Sequence, residues 1–99
     1  MPENHNVKSA KEGVRKLVDE SKVSVSRIHS EAIPNCDAFT LSYLLGDTAE
    51  ARGAAAFLAK LFPDDLDIKF IWKDAVDAHS RAYKGRDQFL QECKCNKIV

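Results

Sequence analysis

Cysteine and histidine are the residues here with the most chemistry to offer, and their spacing limits what that chemistry can be. The chain has three of each. Cys93-Lys94-Cys95 places two thiols around a lysine, an arrangement that lowers thiol pKa and suits a soft metal or a redox pair. A structural zinc site, however, needs four ligands at spacings such as C-x2-C or H-x3-H. The other candidates, Cys36, His29 and His79, stand at unrelated positions. No metal and no cofactor is therefore expected. Cys36, in the turn after Pro34, reads as a small half-buried residue. An odd number of cysteines, two of them one residue apart, sets no disulfide framework, and a reducing cytoplasm follows as the expected location.

Nucleophilic catalysis fares no better. His79 falls within an apolar stripe, where a buried imidazole bonded to a neighbour is the commoner arrangement. His29 has Glu31 nearby, yet no nucleophile, base and orienting group can be assembled around it. Neither a G-x-S-x-G elbow, nor a phosphate-cradling glycine loop, nor H-E-x-x-H is present. The chain reads as a non-enzyme.

Composition frames what is left. Ninety-nine residues with 44% hydrophobic and 30% charged side chains, 4 Gly and 3 Pro describe one ordinary globular domain with a modest core. The polar opening Met1–Asn6 gives no export signal, and the most apolar run, Ala54 to Phe62, is interrupted by Lys60 and too short to cross a bilayer. Formal net charge is +0, zoned as +1 over residues 1–33, −4 over 34–67 and +3 over 68–99. Neutrality counts against a protein that coats nucleic acid.

The elements that must position these residues are helices. Ser9-Ala10-Lys11-Glu12 is a capping box, and Val14, Leu17, Val18, Ser21, Val25, Ile28 and Ala32 then recur at three- and four-residue steps, which predicts a helix from Ala10 to Ile33 ended by Pro34. Asp37 can cap a short helix, Ala38 to Leu45, stopped by Gly46, and Asp47 opens another over Thr48 to Phe62. That last segment has no polar face, so it must be covered on every side. After Pro63, aspartates offer caps, and Ile68, Ile71, Trp72, Ala75, Val76, His79, Ala82 and Tyr83 form a second stripe. This helix either runs through Gly85 to Cys93 or breaks there and restarts at Asp87. The alternation of Leu66, Ile68, Phe70 and Trp72 also suits a strand, but no second strand is available to pair with it. The expected fold is all-α: a bundle of four or five helices over residues 9–93, dimeric, with flexible ends at 1–8 and 94–99.

One passage resembles a helix-turn-helix. Over Val14 to Ile28, Leu17 and Val18 would close a first helix, Val23 would sit in the turn, and Ile28 would anchor a second helix. The resemblance implies a small DNA-binding transcription regulator offering Ser26 and Arg27 to the major groove. This is the alternative reading.

The preferred reading is a non-enzymatic protein-binding regulator, of anti-activator or adaptor type, which masks a partner's surface through helix packing. Two single-striped helices barely cover a centre that is apolar all round, so a homodimer or a protein partner, a transcription regulator being one candidate, is expected to cover the remainder. Val23 and Phe70 each fall opposite their own helix's stripe. Trp72 and Tyr83 are large aromatics at a stripe edge. These four are the expected contact residues.

Overall fold

A computed structural model describes residues 5–93. They form three long helices packed together: α1 over His5–Arg27, α2 over Ala38–Leu61 and α3 over Leu66–Glu92. A π-helical turn, Ile28–Ala32, and one closing turn, Ile33–Asn35, extend α1. The links at 36–37 and 62–65 are short, so α2 runs antiparallel to both neighbours and α1 lies parallel to α3. Among the described residues there is no strand, and no helix is long and apolar enough to cross a membrane. The bundle is slender, 59 × 17 × 16 Å.

The all-α expectation holds, with two corrections to how the helices are divided. Gly46 does not interrupt α2, because a single interior glycine costs only about 1 kcal/mol, less than the packing on either side returns. Of the two courses open at Gly85, the helix takes the continuous one, and α3 runs through it to Glu92. The helix expected from Ala10 already runs from His5, so the Ser9 capping box is interior and residues 5–8 belong to α1. The expected flexible ends at 1–4 and 94–99, with Cys95, lie outside the described residues.

The helix-turn-helix reading fails for the same kind of reason. Residues 14–27 are one unbroken helix with no turn at Val23, so nothing separates a supporting helix from a recognition helix. Arg27 is held along that helix by Glu31, Nε to Oε2 at 2.5 Å, and the Ser26 hydroxyl lies 3.4 Å from the Lys22 carbonyl.

Pro34 does not end α1 directly. Its ring would collide with the carbonyl four residues back in a regular helix. The preceding π turn, in which the Ile33 amide donates to the Ile28 carbonyl, widens the spiral by one residue just before the proline. The stop comes at Cys36, which adopts a left-handed conformation (φ 48°), its amide donating to Ile33 and that of Asp37 to Ala32. This is a Schellman closure with cysteine where glycine is usual. Asp37 and Asp65 then cap α2 and α3, accepting from the amides of Thr40 and Ile68.

Two apolar clusters fill the interior. Near the α1–α2 link, Ile28, Ala32, Ile33, Leu41, Leu44, Ala82, Phe89 and Cys93 pack together, and towards the α2–α3 link Val18, Ala51, Ala55, Ile71 and Ala75 do. Buried hydroxyls of Ser21, Ser24 and Thr48 lie in the middle. Ser21 donates to Val18 and Thr48 to Leu45, while Ser24 lies 3.2 Å from Asp47 Oδ2.

Cys36 and Cys93 form a disulfide, Cα atoms 5.6 Å apart, tying the α1–α2 corner to the end of α3. This bond overturns the expectation that the cysteines set no disulfide framework. Two residues 57 apart can be neighbours only once the bundle has brought the end of α3 back beside the first corner, and spacing alone carries no trace of that. Cytoplasmic residence rested on the unpaired cysteines and loses that premise.

Two expectations follow. Removing the bond, by reductant or by Cys36→Ser with Cys93→Ser, releases a long loop in the unfolded chain and should cost about 4 kcal/mol, read as a lower Tm in thermal melts. A Cβ on Gly85 would stand 2.8 Å from Ile28 Cγ2, on a fully buried β-branched side chain with little rotameric freedom. Gly85→Ala should therefore lower Tm, with an overpacking cost of about 1–3 kcal/mol exceeding the alanine's helix gain of about 1.

Candidate functional site

The α1–α3 seam carries most of the long-range ion pairs. Lys11, only 8% exposed, pairs with Asp65 at 2.7 Å and Asp67 at 3.5 Å. Further along, Asp74 accepts from Arg15 Nη1 at 2.8 Å and from Lys22 Nζ at 3.3 Å. The Lys11 ammonium holds the Asp65 carboxyl below its ordinary value. Partial burial pushes Asp74 up, but Arg15 and Lys22 together outweigh it and its pKa is also lowered.

Outside this seam lies a groove of about 730 Å³, with Val23, Phe70 and Ile71 on its walls and Lys11, Arg15, Lys16, Asp19, Glu20 and Asp67 around it. Val23 is 59% exposed and Phe70 63%. Two of the four expected contact residues thus meet in one concave surface. Trp72 and Tyr83 lie elsewhere. Trp72 is half-buried against the Val18 cluster, with the Arg52 guanidinium 5.5 Å from its ring centre. Tyr83 is exposed, edge-on to His79 at 4.7 Å.

His79 itself is half-buried rather than enclosed. Burial, and then the positive Arg52, lower its pKa. Among the described residues no group of three or more His, Cys, Asp or Glu side chains could hold a metal.

A second surface went unrecognised in the sequence. Along the outer side of α2, Phe39 is 84% exposed, Tyr43 62%, Phe57 63% and Leu61 54%. Gly46 and Gly53 lie between them, and a Cβ on either would meet nothing within 4 Å among the described residues. The steps from Phe39 through Tyr43, Gly46, Glu50, Gly53 and Phe57 alternate four and three residues, a seam like that of a coiled coil. That signal was available, but dividing the helix at Gly46 cut the series in two.

The chain matches no protein-family model, no curated protein and no solved structure.

The shifted groups set a pH profile. His79 is protonated more easily once unfolded, so its contribution to stability is present above about pH 6.5 and declines as pH falls through its lowered folded pKa. Asp65 and Asp74 contribute fully above about pH 4, and that contribution is lost as pH falls through their lowered values. Thermal melts from pH 8 to 2 should show a shallow fall, absent in His79→Gln, followed by a steeper one that is reduced in Asp74→Asn.

Proposed function

We propose that the protein is a non-enzymatic protein-binding regulator of adaptor or anti-activator type, acting as a homodimer, which masks a partner protein's surface by packing a helix of that partner into the Val23–Phe70 groove. The observation that carries this reading is the convergence of two exposed apolar side chains, distant in sequence, on one groove rimmed by charge of both signs. Such a surface suits an amphipathic helix: apolar anchors enter the groove, and the polar rim fixes register. Occlusion is the mechanism, since surface buried here is unavailable for the partner's own dimerisation or target contact. A transcription regulator is the class of partner an anti-activator would take.

The test compares the wild-type chain with Phe70→Asp, immobilised side by side against extract from the source cells. Phe70 is exposed, so the substitution should leave stability within about 0.5 kcal/mol and helix content unchanged. A protein retained in stoichiometric amount by the wild type and lost by the variant supports the reading. Equal retention by both, or steeply salt-dependent binding of the wild type to random duplex DNA, overturns it.

A further inference from the structure

We infer that the open face of α2 is a self-association surface, on which a second copy of this chain packs its own α2 antiparallel about a two-fold axis near Glu50. The inference rests on the dimeric reading above and names the surface and geometry that produce it.

The face is matched to its own reversal. Phe39 and Leu61 each lie eleven residues from Glu50, Tyr43 and Phe57 each seven, and Gly46 and Gly53 four and three. An antiparallel pairing centred there sets Tyr43 of each copy against Phe57 of the other, Phe39 against Leu61, and the glycine stretch against itself. A two-fold interface demands this kind of self-complementarity. Parallel pairing would meet none of those matches, and it would align the two helix dipoles unfavourably.

Side-chain size follows the same geometry. Two helices that cross are closest at the crossing point and diverge towards their ends, so small residues belong at the centre and large ones outside. Gly46, Ala49 and Gly53 occupy the centre, and aromatic side chains occupy both ends. Among the described residues of one copy, nothing near Gly46 or Gly53 requires a missing side chain. An approaching backbone supplies the reason. Glu50, which also lines the groove between α1 and α2 beside Tyr43 and Arg27, has room there to keep its carboxylate in water.

The extent of the face is adequate. From Phe39 to Leu61 it runs about 33 Å. At their observed exposures the three aromatics alone present on the order of 300–500 Å², against about 800 Å² per copy in a stable interface. Leu61 and the backbone opened by the glycines add to this.

The experiment is size-exclusion chromatography with light scattering on the full chain, from about 1 µM to 1 mM, paired with thermal melts. The expected result is a concentration-dependent species of twice the 11.1 kDa chain mass. Gly53→Leu should weaken self-association at least tenfold. Because leucine is the better helix former and a Cβ there is unobstructed, Tm of the dilute monomer should stay level or rise, which separates loss of interface from loss of fold. Gly13→Ala on α1, also in open space, should raise Tm without altering association. In a Cys95→Ser background, Glu50→Cys should form a disulfide between copies and Phe39→Cys should not. A monomer throughout the range, an association indifferent to Gly53→Leu, or equal cross-linking at both positions overturns the inference. Phe70→Asp should leave the dimer intact, so failure of the groove reading and failure of this one are told apart.

Discussion

A helix that is apolar around most of its circumference needs neighbours around most of its circumference. In this bundle α2 has two, and a third side remains in water. The deficit is geometric. Three helices in contact cover roughly the inward half of each member, and a sequence that is greasy beyond that half leaves the excess on display. For α1 and α3 the core consumes most of the apolar stripe and the outward side is mostly charged, with Val23 and Phe70 among the exceptions. For α2 it does not, and Phe39, Tyr43, Phe57 and Leu61 are the visible excess.

Small side chains inside the bundle sharpen the effect. Alanines at 51, 55, 75, 78 and 82, with Gly85 against Ile28, let the three backbones approach closely. Close approach makes a thin rod with a large surface relative to its interior, so much of the chain's apolar area has nowhere internal to go. The two exposed surfaces divide this excess differently. The Val23–Phe70 groove is rimmed by charges of both signs, a feature that favours choice of partner over strength of binding. The α2 face is broad and nearly uncharged, and there burial itself supplies the driving force.

Much of this was legible from residue types and spacing. The 3.6-residue periodicity of α1 and α3 placed Val18, Ile28, Ile68, Ile71, Ala75 and Ala82 in the core, and Asp37 was read as a cap for the chemical reason it is one: its carboxylate answers an orphaned amide. Phase also put Val23 and Phe70 outside, though not in the same groove, because the relative rotation of two helices is set by tertiary packing. Local rules failed where tertiary contacts overrode them. Gly46 looks like a break only to a reading that cannot see the burial of Leu44 and Thr48 on either side of it. The π turn before Pro34, the left-handed Cys36 and its bond to Cys93 depend on how one helix end meets another, and no short window of sequence contains both.

The covalent link between residues 36 and 93 also divides the molecule mechanically. It encloses α2 and α3 in a closed ring and leaves α1 outside, held by side-chain packing and the Lys11, Arg15 and Lys22 ion pairs. Tension applied to the amino end would peel that helix away first and then stop, since the looped remainder cannot lengthen while its clasp stays shut. Most of the chain's contour is thereby kept in reserve, and a thiol reductant would be the key that releases it.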